Sequence, residues 1–165
     1  MVSPPVWVPD EADLRILAQL QQDASLSNQA LAHAVHLSPP TCLRRVKRMV
    51  DLGVIERQVA LLSPKALGAA LGQGLQALVE VSLDVQAAER LDAFEARAVA
   101  EPAVQQVWRV SPGPDFMLVV CVPNMDAYQA LTKRLFSEDA NVRQVRAFFA
   151  VKRAKFGAEL PLVRA

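Results

Sequence analysis

The sequence has 165 residues, of which 52% are hydrophobic and 21% are charged, so the chain can bury a core without help from disulfides. Its 18 basic and 17 acidic residues give a formal net charge of +1, which excludes a uniformly basic protein that coats nucleic acid without sequence preference. The longest apolar run, 116–122, is far shorter than the roughly 20 residues of a membrane-spanning helix, and two cysteines cannot build a disulfide framework. Because the N-terminus also lacks a basic stretch followed by an apolar core, we expect a cytoplasmic protein with no membrane partner.

The N-terminal part shows three short stretches of helical periodicity. The first, 10–22, has three acidic residues in its first turn, where they suit the helix dipole. The second follows Ser27, a typical N-cap residue, and the third follows Ser38 and begins with two prolines. Gly53 ends the third helix, and the alternation over 55–62 favours a strand. This order predicts a helix-turn-helix followed by a strand.

The third helix is predicted to present a polar face to double-stranded DNA. At about 100° per residue, its apolar side holds Leu43, Val46 and Val50. The residues predicted to bind DNA, on the opposite side and at the helix start, are Ser38, Pro39, Thr41, Arg44, Arg45 and Arg48. Arginine can bond guanine through two hydrogen bonds, while the helix N-terminus, capped by Ser38, lies next to phosphate. The alternative, a merely solvated basic face, is disfavoured by the helices before it and the strand after it.

A stretch rich in Gly and Ala, 63–74, predicts a linker between a DNA-binding domain, 1–62, and a second domain, 75–165. The second domain has predicted strands at 75–83, 104–111, 116–122 and 142–155 and predicted helices at 86–100 and 125–137. The βαββαβ order predicts an α+β fold, a ferredoxin-like domain whose two helices cover one face of a four-stranded antiparallel sheet. The uncovered apolar face predicts at least a homodimer, and two-fold symmetry predicts a pseudo-palindromic operator.

Several motifs occur in the order and at the spacing of one known family. They are DLRIL at 13–17, LQQDA at 20–24, LSP at 37–39 with CLRRV at 42–46, LGVI at 52–55, ALLSP at 60–64, the segment 111–118, and VP at 122–123. Along nearly its whole length the chain resembles the Lrp/AsnC (feast/famine) transcriptional regulators. The resemblance implies a winged helix-turn-helix joined to a ferredoxin-like effector domain, dimers formed through the sheets and often assembled into octamers, and a small effector, usually an amino acid.

The resemblance also places the effector where dimers meet, near the turn between the second and third strands. The family's turn pattern is Gly, two variable residues, Asp and an aromatic, and here Pro112 stands in place of the first Gly. The predicted effector-binding residues are Ser111, Gly113, Asp115, Phe116, Met125 and Phe148. Asp115 would meet an ammonium and the Gly113 N–H a carboxylate, and the remaining apolar surface favours an apolar amino acid. Because proline supplies no N–H, the alternative is that Asp115 only closes the hairpin.

No catalytic or metal site is predicted. The two histidines, His33 and His36, lie in the helix-turn-helix, and Cys42 is far from Cys121 in sequence, so no metal-ligand spacing or Cys/His nucleophile pair occurs. We expect no cofactor besides an amino-acid effector. The sequence therefore predicts a sequence-specific DNA-binding regulator, not an enzyme, that responds to an amino acid. Two alternatives remain: a subunit resembling sirohaem decarboxylases, which the absence of His from the second domain disfavours, and an effector-binding partner protein that has lost DNA binding.

Overall fold

A computed structural model describes residues 7–63, 66–67 and 74–162. The chain forms two compact units: a helical unit, made of the chain up to Leu61 together with the tail from Lys155, and a sheet unit, Leu62–Ala154. Residues 64–65 and 68–73 of the predicted linker lie outside the described residues. Among the residues that are described, no helix is long and apolar enough to cross a bilayer.

The tail groups differently from the prediction, which placed all of 75–165 in the second domain. Residues from Lys155 onward group with the helical unit. The side-chain amide of Gln21 donates to the Leu160 carbonyl at 3.1 Å and accepts the Leu160 N–H at 2.6 Å. These two hydrogen bonds hold the tail against the first helix, a long-range pairing that local sequence patterns do not reveal.

The helical unit contains the three predicted helices, α1 (Glu11–Gln22), α2 (Asn28–Ala34) and α3 (Pro39–Asp51). Their shared core consists of Ile16, Leu31, Ala32, Val35, Cys42 and Met49. At the start of α1, Asp10 and Asp13 form a capping box in which each carboxylate accepts the other residue's backbone N–H. Ser27 caps α2 as predicted, by accepting the Ala30 N–H.

Two predictions for this unit were wrong. Helix α3 buries Cys42 and Met49, whereas Leu43 is 57% exposed and Val50 is 50% exposed. The buried stripe thus begins one residue earlier than apolar residue type alone suggested. The strand predicted at 55–62 does not form, because no segment among the described residues pairs with it.

The sheet unit has the predicted βαββαβ order. Its elements are β1 (Leu75–Leu83), α4 (Ala88–Ala100), β2 (Val104–Arg109), β3 (Phe116–Val122), α5 (Met125–Thr132), a π-helical turn (Lys133–Ser137) and β4 (Val142–Phe149). The strand order is β2-β3-β1-β4, and every neighbouring pair is antiparallel. Strand β4 ends at Phe149 rather than near 155, because the chain leaves the sheet there.

Alternation along the two central strands, β1 and β3, separates a helix-covered face of the sheet from an open face. On the covered face, Val79, Val81 and Leu118 are fully buried with Phe94 of α4 and Leu131 of α5. The open face is defined by Leu78, Glu80 and Ser82 of β1 with their cross-strand partners, which include Gln106, Trp108, Met117, Val119, Gln144, Arg146 and Phe148. The predicted uncovered face is therefore present. It is apolar at Leu78 and at Met117 and Trp108, and charged where Glu80 of β1 pairs with Arg146 of β4.

Candidate DNA-binding surface and effector cleft

The start of α3 is fixed by backbone geometry and by α2. His36 adopts φ 56°, a left-handed conformation that turns the chain between the two helices. The Asn28 side chain then donates to the Pro39 carbonyl at 2.9 Å. Ser38 occupies the N-cap position but makes no capping bond, contrary to the prediction, and its hydroxyl donates to Thr41 Oγ1 at 2.8 Å instead. The two prolines explain the difference in part, because Pro40 at the second helical position has no N–H to be capped.

An outer stripe on α3 is defined as Thr41, Arg44 and Arg48, at positions i, i+3 and i+7; a further exposed cation of this helix, Lys47, lies outside the stripe. Arg44 and Arg48 are exposed and Thr41 is half-buried. Within the described ranges, neither guanidinium forms a salt bridge. This stripe can therefore meet phosphate or a base edge without first breaking an ion pair.

Arg45 does not join the outer stripe, although the sequence predicted that it would. It lies on the inner stripe with Cys42 and Met49, and its Nη1 is 2.7 Å from Asp10 Oδ2 and 2.7 Å from Asp13 Oδ1. Hydrogen bonds to Asp10 and then Asp13 raise the pKa of the Arg45 guanidinium above its usual value. The backbone N–H of Asp13 and then Arg45 lower the pKa of Asp10. The structure thus assembles Arg45 and two aspartates into an ion-pair cluster between α1 and α3.

In the sheet unit, the turn between β2 and β3 is held by Asp115. Its Oδ2 accepts the Leu83 N–H at 2.6 Å, its own N–H donates to the Val81 carbonyl at 2.9 Å, and its carbonyl accepts the Val110 N–H at 3.1 Å. Gly113 adopts φ 125°, which favours glycine at this point of the turn. Asp115 therefore closes the hairpin and attaches it to the end of β1.

The other predicted effector residues do not gather into one site. Phe116 is fully buried, and its ring centroid lies 4.8 Å from that of Phe94, so it belongs to the core rather than to an open binding site. The family's turn pattern, which identified this aromatic, does not specify which face of the sheet it occupies. Met125 is 45% exposed at the first position of α5, Phe148 lies on the open face, and Ser111 is exposed on the turn.

A cleft of about 320 Å³ lies at the charged end of the open face. Its lining residues are Glu80, Ser82, Gly113, Pro114, Arg143, Gln144 and Arg146. Glu80 Oε2 is 3.3 Å from Arg146 Nη1, whereas Arg143 forms no ion pair with any described residue. Of the predicted effector residues in the described chain, Gly113 alone lines this cleft.

The sequence analysis missed the five lining residues that come from β1 and β4. Period-two alternation could have placed Glu80 and Ser82 on one face of β1 and Gln144 and Arg146 on one face of β4. It could not have brought the two strands together, because the pairing of Glu80 with Arg146 depends on the register of strands more than sixty residues apart.

Both units of the chain match known protein families. Residues 9–56 match the winged helix-turn-helix DNA-binding family, and residues 76–160 match the Lrp/AsnC ligand binding domain. The DNA-binding transcriptional activator DecR of Escherichia coli (strain K12) is 35% identical, over 93% of this chain and 98% of its own. The leucine-responsive regulatory protein of Rhizobium meliloti is 34% identical, over 93% of this chain and 96% of its own.

Solved structures show the same likeness over both units. A transcriptional regulator of Neisseria meningitidis in complex with L-Met has a TM-score of 0.82 and 31% identity, covering 94% of this chain and 97% of that one. An AsnC family transcriptional regulator from Agrobacterium tumefaciens has a TM-score of 0.83 and 34% identity, covering 93% of this chain and 97% of that one. The chain therefore belongs to the Lrp/AsnC family of transcriptional regulators and combines a DNA-binding domain with a ligand-binding domain.

Proposed function

We propose that this regulator binds DNA in a sequence-specific manner through the outer stripe of α3. The observation that carries this proposal is that Arg44 and Arg48 project from one exposed helix face without an ion-pair partner in the described chain. A helix fits the major groove of B-DNA, where arginine can read guanine, and Ser38 and Pro39 at the helix start then lie close to phosphate.

The test is fluorescence-anisotropy titration of the protein with DNA from the upstream region of its own gene. Replacing Arg44 or Arg48 with Ala is expected to weaken specific binding by about 1–3 kcal/mol for a base contact, or to lower the salt slope by about one for a phosphate contact. Arg90→Ala, which removes an exposed arginine from the sheet unit, is the matched control. Unchanged affinity and salt slope in an Arg44→Ala/Arg48→Ala protein would refute this surface.

We further propose that the open face of the sheet pairs with the same face of a second copy. Leu78, Trp108 and Phe148 are 44%, 58% and 47% exposed there, and Met117 and Val119 add to this apolar surface. Burying such a face in a two-fold dimer removes apolar surface from water. Two DNA-binding domains related by two-fold symmetry are expected to recognise a pseudo-palindromic operator. The family resemblance extends this proposal to octamers.

Analytical ultracentrifugation tests the dimer. Trp108→Glu is expected to shift the protein toward monomer, because it places a charge on the apolar surface that the dimer would bury. Val99→Glu changes an exposed apolar residue of α4, which is 68% exposed on the other side of the unit, and should leave the mass unchanged. A wild-type protein that sediments as a monomer at micromolar concentration would contradict the proposal.

We propose an amino acid of the apolar type as the effector, bound at the cleft beside the turn. Arg143 is placed to receive the carboxylate and Glu80 the ammonium, while the apolar surface around Phe148 borders the charged end of the face. The L-Met complex of the Neisseria meningitidis relative supports this class of ligand.

Titration calorimetry with Leu, Met, Glu and Lys tests the effector and its class. Arg143→Gln should abolish the heat seen with Leu or Met, whereas Arg90→Gln should not. Heat that is largest with Glu or Lys, or equal heat in wild type and Arg143→Gln, would contradict this assignment.

The proposal includes no enzymatic activity. The relatives described above are named as regulators, and both histidines, His33 and His36, lie in the helical unit. The two alternative functions gain no support: the sheet unit offers no His for a tetrapyrrole reaction, and the exposed outer stripe speaks against loss of DNA binding.

A further inference from the structure

We propose that Arg45 is a positioning residue for DNA recognition. Through its ion pairs with Asp10 and Asp13 it fixes the orientation of α3, and it does not itself contact DNA. The inference rests on the proposed role of the outer stripe. It removes Arg45 from the DNA interface, where residue type alone would place it, and assigns it a structural role with Asp10 and Asp13.

First, every oxygen of the two carboxylates already accepts a hydrogen bond within the cluster. Asp10 Oδ1 accepts the Asp13 N–H at 2.8 Å, and Asp13 Oδ2 accepts the Asp10 N–H at 3.3 Å. The remaining oxygen of each carboxylate accepts from Arg45 Nη1 at 2.7 Å. One oxygen of each carboxylate therefore caps α1, and the other oxygen attaches α3 to it.

The second argument is the cost of releasing Arg45. The Asp13 side chain is only 6% exposed and that of Arg45 is 25% exposed. If Arg45 swung outward to DNA, it would leave a buried carboxylate without its countercharge, which is strongly unfavourable. Its Nε is also shielded from solvent and has no hydrogen-bond partner in the described chain, so it is not directed at an external ligand.

The third argument is electrostatic. Two carboxylates and one guanidinium give the cluster a net negative charge, and Asp10 is the most exposed of the three side chains. A phosphate that approached Arg45 would meet the Asp10 carboxylate. Arg44 and Arg48, by contrast, project about 100° and 60° around the helix axis from Arg45, on the side turned away from Cys42 and Met49, with no acidic partner among the described residues.

These three features define what the cluster does. Neighbouring residues on a helix are separated by about 100°, so fixing the direction of Arg45 also fixes the directions in which Arg44 and Arg48 project. The buried apolar contacts of Cys42 and Met49 hold α3 in place, and the ion-pair cluster sets its rotation about its own axis.

The experiment compares two neutral variants of α1, Asp13→Asn and Glu11→Gln, by anisotropy titration with the upstream DNA. Each removes one negative charge from the first turn, but Glu11 is exposed and pairs only with Arg15, at 3.3 Å, among the described residues. If Arg45 contacts DNA, Asp13→Asn frees it and strengthens binding. If Arg45 positions α3, Asp13→Asn weakens specific binding by about five- to tenfold, the loss expected when a base contact is misplaced, while Glu11→Gln leaves it unchanged or slightly stronger.

Two further measurements separate positioning from general loss of structure. The salt slope of Arg45→Gln should equal that of wild type, because no phosphate contact is lost, whereas that of Arg44→Ala should fall by about one if Arg44 meets phosphate. The charge exchange Asp13→Arg/Arg45→Asp should recover affinity lost in Arg45→Asp alone, provided that circular dichroism shows both proteins folded. If the exchange protein does not fold, Asp13→Asn still distinguishes the two roles, because a DNA contact predicts stronger binding and positioning predicts weaker binding.

Stronger or unchanged binding by Asp13→Asn, or a reduced salt slope in Arg45→Gln, would overturn the positioning role. Failure of the wild-type protein to bind the upstream DNA would instead overturn the proposed function. The two failures are thus distinguishable.

Discussion

The helical unit and the sheet unit stabilise themselves in different ways. Among the described residues, the helical unit has a core of six buried apolar side chains and adds a charged cluster, Asp10, Asp13 and Arg45, with Asp13 almost completely buried. The sheet unit buries fourteen apolar side chains beneath two helices, and its ion pairs, such as Arg134 with Glu101, lie at the periphery. Removing a charge should therefore affect the helical unit more, and removing core volume should affect the sheet unit more.

The largest expected effect comes from Phe94→Ala in the sheet unit. Phe94 is 1% exposed, and its ring lies 4.8 Å from Phe116 and 6.5 Å from Phe136 between centroids. Deleting it should lower the free energy of unfolding by about 3–5 kcal/mol, because the lost transfer energy adds to the cost of a cavity. Urea unfolding followed by the fluorescence of Trp108, in a Trp7→Phe background, measures the change.

The helical unit supplies the control for this substitution. Trp7 packs against the helical core and reports on that unit in a Trp108→Phe background. We expect Phe94→Ala to move the Trp108 transition much further than the Trp7 transition. Equal shifts of the two transitions would show that the two units unfold together and are not stabilised separately.

Asp115 gives the next largest effect. Asp115→Ala should cost the sheet unit about 1–3 kcal/mol, because the Leu83 N–H loses its 2.6 Å acceptor beside a buried side chain. Asp115→Asn keeps an acceptor oxygen and should cost much less. If the two variants lose equal stability, the hydrogen bond to Leu83 does not account for the role of Asp115, and its negative charge does.

A smaller effect is expected at Gln21, which holds the tail. Gln21→Ala removes the two hydrogen bonds to Leu160 and should lower the stability of the helical unit by about 0.5–1.5 kcal/mol, with no effect on the Trp108 transition. Gln22→Ala, an exposed neighbour on the same helix, is the matched control. A loss of the same size in both variants would attribute it to α1 itself and not to the tail.

The contrast between the units also explains how far the sequence could be interpreted. The sheet unit was predicted closely, because strands with one buried face alternate strictly and each helix has a clear apolar stripe, as at Phe94 and Leu131. The phase of α3 was not, because Cys42 and Arg45 turn inward while the more apolar Leu43 turns outward. The hydrophobicity of single residues determined the predicted phase, but the inward direction of Arg45 depends on ion pairs with residues more than thirty positions earlier in the chain.

The candidate cleft was missed for a related reason. Its residues come from two strands that are distant in sequence, and the resemblance directed attention to the turn, from which only Gly113 and Pro114 line the cleft. Asp115 matched the family pattern, and its carboxylate is occupied by the backbone of β1. A family motif can therefore lie next to a cleft without identifying which side chains line it.

The smallest predicted effect is the response of each unit to acid. The pKa of Asp10 is lowered by the Asp13 N–H and by Arg45, and the pKa of Glu101 is lowered chiefly by its two hydrogen bonds from Arg134. In both cases the unfolded chain binds the proton more readily, so the stabilisation is fully present above the ordinary pKa, about 3.9 for Asp and 4.3 for Glu. It is lost as the pH falls through the lower folded-state value.

Comparing neutral variants across pH separates the two contributions. The gap in urea midpoint between wild type and Asp10→Asn, followed with Trp7, should be constant above about pH 5 and shrink at more acidic pH. The gap between wild type and Glu101→Gln, followed with Trp108, should begin to shrink at a slightly higher pH, because the ordinary pKa of Glu is higher. Asp51→Asn, an exposed carboxylate at the end of α3, controls for net charge. A gap for Asp10→Asn that matches the Asp51→Asn gap at every pH would mean that the Asp10 pair contributes nothing to folding, and the anchoring of α3 would then rest on Asp13 alone.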